Sequence, residues 1–401
     1  MTRYPRIFLA IDNCFASRRW IAPRDWAAVI RNFGLFCVEA SADNECDPLY
    51  STPEYMSDWV DEVRAVYERT GVRVVNLYSG HGTYATTGLA HPDVRVRDRI
   101  LNDWLKVMSE VAGRLGAGMG FACHAFADPV LQDPGAFANA EEDLYDRLAE
   151  LATYAHECGT QAISLEQMYA PHMIPWTVAG AFKLLREVYD RARQPFYLTV
   201  DTGHMCGQRK FLRPRSERLL ELLRQFQQTG SQAGMWLGPK SAYDCFRKLA
   251  ERPEYEMANG FVRVEDEMDR YPYLFARDED SNPYFWLEQL GCYSPIIHLQ
   301  QTAGNASAHL PFTKQWNATG IIHPGKVLQA LASSYAAPQA DGLPPRCDSV
   351  YLTIEVFSAS ADLSVDILAR LEESVAYWRQ WVPQDGVTLD ELLQMDQRTV
   401  Q

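Results

Sequence analysis

The sequence predicts an α/β fold, a closed (β/α)8 TIM barrel, on three observations. Eight short β-rich apolar runs recur along the chain, most of them are separated by stretches with helical spacing, and the turn after the first run carries no glycine. Continuous apolar runs without strict alternation are what strands look like when both faces are buried, as in parallel sheets. Eight such strands with helical crossovers suit a closed barrel better than an open sheet. An open dinucleotide-binding sheet would place a Gly-rich turn after its first strand, where this chain has Asp12-Asn13-Cys14-Phe15; the G-x-G-x-G at Gly116 to Gly120 precedes its run instead of following it.

In order, the runs are Ile7–Ile11, Leu35–Val38, Arg73–Tyr78, Gly120–His124, Ala162–Leu165, Phe196–Val200, Ile296–Leu299 and Val350–Val356. Helical spacing joins Trp59, Val63, Val66 and Tyr67, then Leu144, Leu148, Leu151 and Tyr154, then Leu184, Leu185 and Val188. Gly34, Gly71 and Gly159 stand just before runs, where helices commonly end. The connection from Thr202 to Pro295 is far longer than a βα unit needs. It holds a helical piece around Arg215–Gln228, a polar stretch around Gly230–Lys240 and a helix near Tyr284–Leu290. The chain therefore reads as one barrel domain over residues 1–401, with an insertion at about 207–290 covering the barrel mouth.

The 401 residues are 47% hydrophobic and 22% charged, which excludes a disordered protein. Such a chain buries about three quarters of its unfolded surface and needs no staples. A net charge of −14 argues against a nucleic-acid partner, whose phosphates call for clustered Lys and Arg. No apolar stretch approaches a membrane span, and Asp12 ends the first apolar run far short of a signal-peptide core. Nine Cys without a C-x-x-C pair fit reduced thiols in a cytoplasmic protein.

Polar residues gather where the later runs end. The fifth reads Ile163-Ser164-Leu165-Glu166, the sixth Leu198-Thr199-Val200-Asp201, the seventh Ile296-Ile297-His298 and the eighth Leu352-Thr353-Ile354-Glu355. In a barrel these ends meet at one mouth, so Glu166, Asp201, His298 and Glu355 can surround one point. Three carboxylates packed together repel one another unless a cation neutralises them. The set predicts one divalent metal ion (Mn, Mg, Co or Zn) with positions open to substrate. His204 follows Asp201 by three residues, and Gln300 returns to the side of its strand that His298 faces. His81 and His124, after the third run and at the end of the fourth, are further substrate-binding candidates, with Asn13 and Glu39 behind them. Asn305, Ser307 and Lys314 lie where barrels commonly hold phosphate, and Trp176, Trp236, Trp286 and Trp316 lie where they can shield the mouth from water.

With Glu166, Asp201-x-x-His204, His298 and Glu355 in this order, the chain resembles the xylose isomerase-like TIM barrel superfamily, closest to its ketose 3-epimerases. The string Ser294-Pro295-Ile296-Ile297-His298-Leu299-Gln300-Gln301-Thr302 resembles the erythrulose-phosphate epimerase type. The resemblance implies a metal-dependent epimerase or isomerase of a small sugar or sugar phosphate, in a homodimer or homotetramer. It implies that the metal stabilises an enediolate while Glu166 and Glu355 act as bases on opposite faces of one carbon, and that His204 orients substrate oxygens. Two departures stand out: the long insertion, and the absence of any Arg between Leu299 and Lys314, where the epimerases carry one. An inosose-type dehydratase would use a closely similar ligand set. A three-metal endonuclease resembling this barrel would need an Asp-x-His after the seventh strand, where this chain has Ser307-Ala308-His309. A non-catalytic sugar-binding protein would have lost a ligand, and none is lost.

Overall fold

Eight parallel strands pair in one sheet in the computed structural model, which describes residues 4–80, 88–122, 125–251 and 257–399. They are β1 (Arg6–Asp12), β2 (Cys37–Ser41), β3 (Arg73–Ser79), β4 (Gly118–Phe121), β5 (Ile163–Glu166), β6 (Tyr197–Asp201), β7 (Ile296–Leu299) and β8 (Ser349–Ile354). Each pairs with the next, and β1 pairs with both β8 and β2, so the sheet closes into the expected barrel. A ninth strand, β9 (Val387–Thr388), lies antiparallel against the start of β1. Two residues leave no periodic signature, which is why the sequence does not reveal it.

Every apolar run becomes a strand, with shifted ends. Strand β4 begins at Gly118, earlier than the apolar pattern suggests, because its glycines are part of the ladder. Gly118 pairs with Asn76 and Gly120 with Tyr78 on β3. A Cβ at Gly118 would lie 2.7 Å from Asn76 Oδ1, and one at Gly120 would lie 2.9 Å from the Tyr78 ring. Glycine here makes room for two larger side chains of the neighbouring strand.

Helices α1 (Pro23–Asn32), α2 (Pro53–Thr70), α3 (Lys106–Leu115), α4 (Pro134–Glu157) and α5 (Val178–Ala192) follow the first strands. Thr52 caps α2 by accepting from Tyr55 N, while Trp59, Val63 and Val66 are buried against the sheet. Tyr67 is exposed, so the buried stripe is narrower than its spacing suggests. Leu144, Leu148 and Leu151 of α4 and Leu184, Leu185 and Val188 of α5 are buried as expected. Gly34, Gly71 and Gly159 all adopt the left-handed backbone that ends a helix.

Between β6 and β7 come α6 (Ser216–Thr229), α7 (Lys240–Ala250), α8 (Met257–Asp269) and α9 (Pro283–Leu290). Helices α7 and α8, packed on each other, go beyond the sequence reading, although Ala242, Phe246 and Leu249 have helical spacing. Helix α9 packs on β6, on α5 and on α10 (Pro324–Ala336), which is the place of an ordinary crossover helix. The extra chain thus ends before Pro283. It touches the segments leaving β4 and β5: Tyr273 stacks on Phe137 at 3.9 Å and donates to Leu131 O, and Phe211 packs edge-on to Trp176 and Trp236. Trp286 is fully buried and donates to Asp280 O, a packing role. Helix α11 (Ser364–Arg379) follows β8. Among the described residues no helix is long and apolar enough to cross a membrane, and all eight described cysteines are free.

Gly120→Ala puts two small numbers in opposition. Ala in a strand gains about 0.5–1 kcal/mol over Gly, whereas overpacking against the Tyr78 ring costs about 1–3 kcal/mol. The expected outcome is net destabilisation, read as a lower urea midpoint with an unchanged slope.

Candidate metal centre

The strand ends do bring the four expected ligands together. Asp201 pairs with His298 across β6 and β7, and His298 pairs with Thr353, two residues before Glu355. His298 Nδ1 lies 3.1 Å from Glu166 Oε1 and 3.6 Å from Glu355 Oε2. One ligand atom each from Glu166, Asp201 and His298 fall within 4.8 Å of one another. Asp201 and His298 have no exposed surface, and Glu166 and Glu355 are 5% exposed.

The surrounding polar groups hold these side chains in place. Asp201 accepts from the backbone N–H groups of Gly203 (2.6 Å) and His204 (3.0 Å) through Oδ1, and Gln300 Nε2 donates to both its oxygens at 2.9 Å. Gln300, expected to meet substrate, is thereby hydrogen-bonded to Asp201. Tyr78 OH donates to Glu166 Oε2. His298 Nε2 lies 2.9 Å from Glu39 Oε2, and Asn76 Nδ2 donates to Glu39 Oε1 at 2.6 Å. This leaves Nδ1 of His298 facing the carboxylates, with Glu39 orienting the ring, the usual arrangement of a metal-binding histidine. Asn13 bridges Ser41 N and Glu45, which pins the segment after β2.

His204 Nδ1 lies 2.7 Å from Gln167 O, so its Nε2 is the atom turned to Asp201 Oδ2, at 3.8 Å. His81 and His124 lie outside the described residues. Ser307 bonds to Gln300, and Asn305 and Lys314 are exposed. The sequence reading passed over Asn76, Tyr78 and His309. The first two were detectable as polar groups two apart in the third apolar run, whereas His309 became significant only through its neighbours: it comes within 3.5 Å of Glu355 and its ring packs near that of His204.

The electrostatics are those of a crowded acidic pocket. Burial raises the Glu166 carboxyl, but His204 and His298 outweigh it and hold the group below the usual carboxylate range. Burial likewise opposes Asp201, which His204, His309 and His298 together bring low. Burial pushes Glu355 well up; His298 offsets part of this, while Asp201 and Glu166 add to it. Burial depresses His298, yet Glu39 and Glu355 raise it well above an ordinary imidazole. Glu355 Oε2 is buried and has no hydrogen-bond partner among the described residues. An orphaned carboxylate oxygen amid two further acids and an imidazole fits a divalent cation, with Glu166, Asp201, His298 and Glu355 as the donor set.

Glu39→Gln keeps the shape of the group that orients His298 and removes its charge. The expected outcome is Mn2+ affinity about 10- to 100-fold weaker by titration calorimetry. Unchanged affinity would show that Glu39 does not support the metal site.

The model of the xylose isomerase-like TIM barrel family matches residues 27–232. A D-erythrulose 1-phosphate 3-epimerase of Brucella abortus (strain 2308) is 25% identical over 315 residues, 78% of this chain and 76% of that protein. Among solved structures, a presumptive xylose isomerase from Rhodospirillum rubrum matches with a TM-score of 0.67 at 17% identity, covering 93% of this chain and 99% of that one. An L-ribulose 3-epimerase matches with a TM-score of 0.52 at 13% identity, covering 98% and 97%. The two structures speak to the fold alone. With the closed barrel and a family match over half its length, the chain belongs to the xylose isomerase-like TIM barrel family.

Proposed function

We propose that this protein is a divalent-metal-dependent epimerase of a small ketose or ketose phosphate, acting by proton transfer at a carbon next to a carbonyl. The observation that carries this reading is the convergence of two carboxylates, Glu166 and Glu355, on Nδ1 of His298 from the ends of strands three apart in the barrel, β5 and β8. Epimerisation needs one group to take a proton from one face of a carbon and another to return one from the opposite face, and two separate carboxylates supply that pair. The relatedness over 78% of the chain to an erythrulose 1-phosphate 3-epimerase supports the same reaction class.

In this reading Glu166, Asp201, His298 and Glu355 hold the metal, whose Lewis acidity stabilises the negative charge that builds on the substrate oxygens. Gln300 and the Gly203 and His204 N–H groups keep Asp201 turned inward. Tyr78 does the same for Glu166. His204, with Nδ1 committed to Gln167 O, presents Nε2 to a substrate oxygen. The extra chain between β6 and α9, packed on the segments leaving β4 and β5, covers the mouth and excludes water. A phosphate on the substrate would lie toward Asn305, Ser307 and Lys314.

The test is a screen of ketoses and ketose phosphates in deuterated buffer, with Mn2+ and with chelator. Deuterium is expected at C3 and abolished by chelation. Exchange at C1 or C2 would indicate an isomerase, an ultraviolet-absorbing enone or dione would indicate a dehydratase, and either would replace this reading. At saturating Mn2+, Glu355→Gln is expected to lower kcat by about 10²- to 10⁴-fold, the range of a general base or acid; near-normal turnover would remove Glu355 from the chemistry.

A further inference from the structure

One imidazole in the neighbourhood of the centre belongs to none of the roles above. His309 lies in the segment after β7, next to the Gln301–Leu310 bridge. Its backbone is left-handed, with φ 46, one of three non-glycine residues at positive φ among those described. That conformation costs a bulky residue about 1–3 kcal/mol, and it persists where the surroundings impose it. Here the backbone N–H donates to Gln300 Oε1 at 2.7 Å, and the ring stacks on Phe357 with centroids 4.2 Å apart. Phe357 stands two residues after Glu355. Nε2 then lies 3.5 Å from Glu355 Oε2, the buried oxygen that has no hydrogen-bond partner among the described residues.

We infer that His309 is a positioning residue for Glu355, clamping the segment after β7 to the end of β8 and aiming the carboxylate. The inference rests on the reading of Glu355 as both ligand and proton-transfer group. Gln300 joins the two halves of the device, because its Nε2 holds Asp201 while its Oε1 holds His309 in place.

His309→Ala and His309→Asn test it, because asparagine tolerates the left-handed backbone and keeps a side-chain donor. Mn2+ affinity by calorimetry is expected to fall about tenfold in His309→Ala and to stay within about threefold of wild type in His309→Asn, in the range of groups that support metal ligands. At saturating Mn2+, with a sugar that the wild type inverts, His309→Ala should lower kcat for inversion at least about tenfold with KM nearly unchanged. Exchange of the substrate proton with solvent should fall less than inversion, because only the Glu355 side is disturbed. Wild-type Mn2+ affinity in His309→Ala overturns the inference. So does a parallel loss of exchange and inversion that His309→Asn shares, the signature of a merely structural role. Should the wild type act on no sugar while His309→Ala still loses Mn2+ affinity, the functional reading fails and the placement of Glu355 by His309 stands.

Discussion

Three carboxylates crowd around one imidazole in a buried pocket, and the repulsion among the carboxylates is the constraint around which the centre is organised. Two like charges 4 Å apart at an effective dielectric of 20 repel by about 4 kcal/mol. A chain that keeps such a group together must neutralise it or surround it with donors. The donors are visible: Tyr78, Gln300 and two backbone N–H groups donate to Glu166 and Asp201, while one oxygen of Glu355 is buried without a hydrogen-bond partner among the described residues.

Those donors in turn shape parts of the barrel that never touch the centre. Asn76 and Tyr78 project from β3 only because Gly118 and Gly120 on β4 leave the space. Asn76 then holds Glu39, and Glu39 turns His298. A run of small residues that looks like weak strand sequence is therefore part of the support for His298. The same logic explains why polar side chains such as Ser164 and Thr199 can lie buried between strands, since they bond to each other.

The segments after β6 and β7 form a second layer. Asp201, His204, Gln300, Ser307 and His309 are tied into one network, so that the position of Asp201 depends on the chain after β7 as well as on its own strand. The extra chain between β6 and α9 packs on the segment after β5, where Phe211 meets Trp176 and Trp236 edge-on.

The barrel and the meeting of Glu166, Asp201, His298 and Glu355 were legible in the sequence because both rest on short-range patterns. An apolar run that ends in Glu166, Asp201, His298 or Glu355 is visible without knowing any contact, and parallel closure dictates that such ends converge. The supporting groups were not legible to the same degree. Glu39 stood behind other candidates, Gln300 was expected to meet substrate and His309 entered only within Ser307-Ala308-His309, and their partners lie on other strands or segments. Chain order determined which residues stand at the mouth; only tertiary packing decided which hydrogen bonds each one makes, because a side chain's partners come from neighbouring elements whose register a single sequence does not encode.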